Sequence, residues 1–241
     1  MSPRSMHPHH EVLLEQYRQE KMSRREFMRL SALVGVSLGA ASLALPRDIS
    51  WAQESVPHRG GMLKVASIIH KLSNPAQISW GKTANILRQV AEYLTVTGPD
   101  NITRPFLASD WQASEDLKTW TFNLRRGIRF NNGDEFTADD VLFTLNLWLK
   151  KEVKSSMLGL VGSYLSPSGI EKTGPYQFVL HLNRPEIGIP EHFFHYPAFI
   201  LNHRTFEGDF LKAPHGTGPY TLETYNESEI AILKARSDYW Q

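Results

Sequence analysis

An α/β lobe is predicted by three features of the sequence. Thr119–Arg125 alternates strictly, with Trp120, Phe122 and Leu124 opposed to Thr121, Asn123 and Arg125. Tyr176, Phe178, Leu180 and Leu182 alternate with Gln177, Val179, His181 and Asn183 in the same way. Between these two half-buried strands, Thr137-Ala138-Asp139-Asp140 starts a helical stripe. Period-2 and period-3.6 segments thus share one chain, without the regular βαβ rhythm of a doubly wound sheet.

From the amino-terminal side, Gly60-Gly61 opens a short expected strand, Met62–Ser67, and a loop follows around Ser73-Asn74-Pro75. Lys82–Thr95 sets Ile86, Leu87, Val90 and Leu94 on one helical face. Gly98-Pro99-Asp100-Asn101 is turn chemistry. Arg126-Gly127 turns the chain after the first alternating strand, Ile128-Arg129-Phe130 extends it again, and Asn131-Asn132-Gly133-Asp134 is a strong turn signal. Thr137 and Asp140 form a capping box, although Glu or Gln is the usual partner. Two acids in the first turn also suit the helix dipole. The helix is expected to run to about Lys151 and to bury Val141, Leu142, Leu145, Trp148 and Leu149. Asp139 and Asp140 therefore fit helix-start residues rather than a catalytic carboxylate pair, and loss of Asp140 is expected to cost about 0.5–2 kcal/mol as a lost cap. Asn183-Arg184-Pro185 ends the second alternating strand. Thr221–Tyr225 and Glu229–Ala235 make a last hairpin across Asn226-Glu227-Ser228.

Ahead of all this, Leu30–Leu45 runs sixteen residues without a charge. A spanning helix needs about 20 predominantly apolar residues, and this run is diluted by Ser31, Gly35, Ser37, Gly39 and Ser42. A basic region, a short apolar region and a small-residue cleavage site define a secretory signal. Arg24, Arg25 and Arg29 supply the first, Leu30–Leu45 the second, and Ser50-Trp51-Ala52 the third, which places cleavage after Ala52. Residues 1–52 are thus a removed signal region and 53–241 the working lobe; retention of the run as an uncleaved anchor is the alternative. With no cysteine after the apolar run, lipid anchoring there is excluded. Met1–Lys21, with His7, His9 and His10, is a polar extension ahead of the signal.

The chain carries 26 Lys/Arg and 25 Asp/Glu; seven and five of them lie in residues 1–52, leaving 19 and 20 and a net charge of −1 on the remaining 189 residues. That is not the electrostatic footprint of a nucleic-acid binder. No disulfide framework or thiolate metal site is possible without cysteine. The core must come from burial, for which six Trp and twelve Phe are ample. There is no G-x-S-x-G elbow, no H-E-x-x-H, no P-loop and no dinucleotide fingerprint. His192 and His195 lie three apart with His203 nearby, a spacing that three metal ligands could use. The aromatic stretch His192-Phe193-Phe194-His195-Tyr196-Pro197 favours packed histidines instead. No cofactor and no catalytic residue is assigned.

Two resemblances add to this reading. Ser23-Arg24-Arg25-Glu26-Phe27-Met28 closely resembles the twin-arginine export motif, with Arg24, Arg25 and Phe27 at its defining positions and Met28 in place of the usual leucine. It implies periplasmic delivery by the twin-arginine translocase. Three further stretches resemble family 5 of the bacterial extracellular solute-binding proteins, which serve ABC importers of peptides and nickel. They are Gly60-Gly61-Met62-Leu63-Lys64-Val65-Ala66; Leu107–Trp111 with Trp120–Phe130, Asn132-Gly133-Asp134 and Thr137–Val141; and Gly216-Thr217-Gly218-Pro219-Tyr220 with Ala235-Arg236-Ser237-Asp238-Tyr239-Trp240.

The family resemblance implies a periplasmic binding protein-like class II fold of two lobes closing on ligand. Of this the chain is expected to hold most of one lobe with its insert subdomain, the second lobe being missing. It implies a small-molecule or peptide ligand, a membrane permease and a cytoplasmic ATPase as partners, and no catalysis. By loop position in the family, Ile69, His70, Leu72 and Ser73 and the turn of Gly216, Thr217, Gly218 and Tyr220 are the expected ligand-binding residues. The competing expectations are a twin-arginine-exported enzyme and a non-functional fragment.

Overall fold

The computed structural model describes residues 8–19, 21–22, 26–27, 29–30 and 60–241. Arg24, Arg25 and residues 31–59, which hold most of the apolar run and the cleavage site, lie outside the described residues. The chain divides into two compact units, residues 1–64 and 65–241.

In the first unit, helix α1 spans Pro8–Arg18. Proline at a helix start loses nothing, because its missing N–H would have been unpaired there. Leu13, Leu14 and Tyr17, three and four apart, form its apolar face.

The second unit is built on one four-stranded antiparallel sheet. Its strands are β3 (Ala108–Ala113), β4 (Thr119–Leu124), β5 (Ile170–Gly174) and β6 (Gln177–His181), in the order β3-β4-β6-β5. Trp120, Phe122 and Leu124 of β4 are buried, as their alternation requires. Phe122 stacks on Phe178 of β6 with centroids 5.1 Å apart and rings 5° from parallel. Helix α3 (Ala138–Leu149) packs against this sheet, burying Val141, Leu145 and Trp148. Phe193 fills the remaining gap, edge-on to Phe122 and 6.4 Å from Trp148. Helix α4 (Ser156–Val161) follows, with Ser155 Oγ accepting from Met157 N as its cap.

Around this core sit a short hairpin of β1 (Thr95–Thr97) and β2 (Thr103–Pro105), and a longer one of β7 (Tyr220–Asn226) and β8 (Ile230–Ala235). Helix α2 (Gly81–Leu87) and the single turn α5 (Ile189–His192) complete the unit.

Two elements differ from the sequence expectation. Residues 60–72 form no strand; Met62, Leu63 and Val65 are 84%, 88% and 76% exposed. No described strand pairs with this segment, and β structure needs a neighbour for its backbone groups. The helix expected over Lys82–Thr95 stops at Leu87 and Thr95 already belongs to β1. The apolar stripe is real, since Leu87, Val90 and Leu94 are buried. The helix ends because the Gln89 and Val90 carbonyls accept from Tyr220 N and Gly218 N, each at 2.9 Å, instead of from the next helical turn.

Candidate ligand-binding wall

The loop before α2 is fastened from three sides. Tyr225 Oη donates to the His70 carbonyl at 2.6 Å, Ser228 N to the Ile69 carbonyl at 2.9 Å, and Phe210 N to the Ser73 carbonyl at 2.6 Å. Leu72 points into the core, 4% exposed. Hairpin β7–β8 thus holds Ile69 and His70 through their backbone and leaves the His70 ring free to line a cleft.

That cleft has a volume of about 310 Å³ and is lined by His70, Lys71, Gln77, Ile78, Ser79, Trp80, Thr83 and Glu227. His70 and Trp80 stack, 5.3 Å between centroids and 21° apart. Trp80 is nevertheless 63% exposed, an unusual placement for the largest apolar side chain. Beside it, Thr83 is 2% exposed and its Oγ1 has no hydrogen-bond partner. A buried hydroxyl without a partner costs about 1–3 kcal/mol. The cleft therefore offers an aromatic platform, and a cation and an anion in Lys71 and Glu227. Of the residues expected to bind ligand, His70 lines this cleft; Trp80 and Thr83 also line it and were not singled out from the sequence. The signal available was a tryptophan and a threonine flanking Gly81-Lys82 in an otherwise ordinary helix start.

The Gly216–Tyr220 turn does not line this cleft. It lies against the segment that follows α2. A Cβ on Gly216 would stand 1.9 Å from the Val90 carbonyl oxygen, and one on Gly218 would stand 2.7 Å from that of Gln89. Only glycine permits this approach, and it is what lets Gly218 N and Tyr220 N reach those carbonyls. Arg236 locks the turn from its other side. Its side chain is 4% exposed, and the guanidinium donates to the carbonyls of Gly216 at 3.3 Å, Gly218 at 3.1 Å and Arg129 at 3.3 Å and pairs with Asp238. Glu92, 3% exposed, accepts from Tyr239 Oη at 2.6 Å and Trp240 Nε1 at 2.9 Å. The motifs Gly216–Tyr220 and Ala235–Trp240 are thus two halves of one clamp on residues 89–92.

Burial pushes the Glu92 carboxyl above its ordinary 4.5, a rise that the Tyr239 and Trp240 hydrogen bonds and the Arg236 charge only partly offset. The folded protein then holds this proton more tightly than the unfolded chain. Its contribution to stability is complete below the unfolded value and is lost as pH rises through the folded one. Glu92→Gln is therefore expected to shrink the loss of stability between pH 4 and pH 8, measured by urea unfolding at the two pH values. An unchanged difference would show that Glu92 does not titrate abnormally.

The remaining polar candidates are structural. Asp140 Oδ2 accepts from Thr137 N at 2.8 Å, the return half of the capping box. Its Oδ1 accepts from His203 N at 3.0 Å and lies 2.7 Å from His203 Nδ1. Asp139 instead pairs with Lys172 on the surface at 2.7 Å. His192 Nδ1 is 2.9 Å from Tyr164 Oη, so His192 and His203 face different partners. Among the described residues no group of three His, Cys, Asp or Glu side chains is arranged to hold a metal ion.

Comparison with known proteins supplies the context. Residues 103–241 match the family model for bacterial extracellular solute-binding proteins, family 5 Middle. The nickel-binding periplasmic protein of Escherichia coli (strain K12) is 31% identical over 155 residues, which are 63% of this chain and 29% of that protein. Oligopeptide-binding protein AppA of Bacillus subtilis (strain 168) is 27% identical over an alignment of 240 residues that covers 91% of this chain and 43% of AppA. Among solved structures, the ABC transporter-associated periplasmic binding protein DppA from Helicobacter pylori, in complex with the peptide STSA, superposes with a TM-score of 0.64 at 26% identity, covering 73% of this chain and 39% of DppA. This chain therefore spans well under half the length of the relatives it matches.

Proposed function

This chain belongs to family 5 of the bacterial extracellular solute-binding proteins, and from that premise we propose that it contributes to the periplasmic substrate-binding component of an ABC importer for peptides or a related small solute. The fold is that of class II periplasmic binding proteins, over the part of their length that the chain covers. The observation that carries the binding role is the cleft beside Trp80, where an exposed indole, the stacked His70 ring and the Lys71 and Glu227 side chains converge. Ligand sites combine apolar and aromatic lining with a few placed polar groups. Here Trp80 and His70 give the first, and Lys71 and Glu227 the second. The Gly216–Tyr220 turn takes part by holding the end of α2, the helix that carries Thr83. Two relatives support the ligand class by name, a nickel-binding and an oligopeptide-binding protein. Partners on this reading are the permease and ATPase of the importer, with solute captured by closure of two lobes.

Trp80→Ala separates this reading from a purely structural one. The indole is 63% exposed, so thermal stability is expected to change little. Affinity for the bound solute, read by titration calorimetry of the protein against peptides and nickel chelates, is expected to fall. Equal affinity in both proteins would remove the cleft from the binding site, and chemical turnover of a titrated ligand would replace the binding role with an enzymatic one.

Delivery to the periplasm is proposed to follow the twin-arginine route through Arg24 and Arg25. Lysine does not reproduce the planar guanidinium fork. The pair Arg24→Lys and Arg25→Lys is expected to leave the protein in the cytoplasm, by fractionation; an unchanged periplasmic yield would sink the route.

A further inference from the structure

Phe27, the aromatic position of the proposed export motif, has no solvent exposure. Its ring lies against Tyr17 of α1, 5.2 Å between centroids and tilted by 35°. Leu14 closes over the same side chain and is itself 8% exposed, while Leu13 and Met22 pack around the pair. Among the described residues, the apolar face of α1 thus packs on Phe27. Val12, on the other side of the helix, is 56% exposed.

We infer that helix α1 is a mask on the export motif: it covers Phe27, and the export receptor reads the motif only after α1 lifts away. The inference rests on the twin-arginine reading above. A receptor that reads a phenylalanine must touch its ring, and a ring with no exposed surface is touched only by displacing what covers it. The cover is suited to displacement. At eleven residues, α1 is shorter than the ~12–15 below which isolated helices are marginal in water. Among the described residues its apolar face packs on Phe27, so undocking and unwinding are coupled. Among the described residues the contact is one small apolar cluster, which makes the closed form a bias rather than a lock. The mask then sets what fraction of the precursor is open to the receptor at any moment, and apparent receptor affinity falls by that fraction. The polar extension ahead of the signal, which has no role in the address itself, gains one.

Pulse-chase export of the full-length precursor tests this. Leu14→Ser with Tyr17→Ser uncovers Phe27 without touching the arginine pair or the mature lobe. Its initial export rate is expected to rise several-fold over the unaltered precursor, while Val12→Ser, on the exposed face, leaves the rate unchanged. Removal of residues 2–19 is a second route to the same open state and should give the same rise. Arg24→Lys with Arg25→Lys should block export in both the masked and the unmasked precursor. If the uncovered precursors are exported at the original rate or more slowly while the lysine pair still blocks, the mask is refuted and the route stands. If the lysine pair is exported normally, the route fails and takes the mask with it.

Discussion

Asp140→Ala is expected to lower the unfolding free energy by about 3–5 kcal/mol, several times the cost of an ordinary lost cap. The carboxylate has no solvent exposure and joins two parts of the chain that are far apart in sequence. It holds the Thr137 N–H at the start of α3 and both His203 N and the His203 ring. Arg204, 4.0 Å away, adds a longer-range charge. Removing the carboxylate leaves these donors facing an apolar side chain, with water excluded. That cost of unpaired buried groups is what separates this position from its neighbour. Asp139→Ala removes only a half-exposed pair with Lys172, for which roughly 0.2–1 kcal/mol is expected. Urea unfolding of the two variants side by side is the measurement. Equal losses would mean that Asp140 acts as a cap alone and that its tie to residues 202–204 carries no stability.

Gly216→Ala is expected to destabilise by about 3 kcal/mol or more, at the upper end of overpacking costs. The added methyl group would lie 1.9 Å from Val90 O and 2.6 Å from Val90 C. Both are main-chain atoms, so no rotamer change relieves the clash and the whole turn must withdraw. Withdrawal breaks the hydrogen bonds from Gly218 N to Val90 O and from Asn131 N to Gly216 O. It also pulls two carbonyls away from the buried Arg236 guanidinium. Gly159→Ala is the internal contrast. That glycine lies within α4, and a methyl group added there would meet nothing within 4 Å, so alanine should stabilise by roughly 0.5–1 kcal/mol. Thermal unfolding of both variants decides it. A harmless Gly216→Ala would show that the turn and the post-α2 segment are free to separate, and the clamp would no longer account for the early end of α2.

What the sequence by itself determined were the elements whose cause is local. Strand β4 was legible because Trp120, Phe122 and Leu124 keep period 2, and the start of α3 because Thr137 and Asp140 satisfy each other within one turn. The turns at Asn131–Asp134 and Asn226–Ser228 carry their own chemistry. The family was legible because its motifs are ordered runs of such local features. Only the tertiary structure decided the rest. It ended α2 at Leu87, because Gly218 N and Tyr220 N, more than 120 residues later, take the carbonyls that a longer helix would use. It left Met62–Ser67 without strand structure, because the local sequence can favour an extended segment but cannot place a partner strand beside it. It made Asp140 a buried junction through His203, and it gathered Trp80, Thr83 and Glu227 into one cleft. Propensity, capping and periodicity act within a few residues and can be read along the chain. Burial, close backbone approach and the pairing of distant polar groups depend on which segments meet, and that is settled only when the chain is folded.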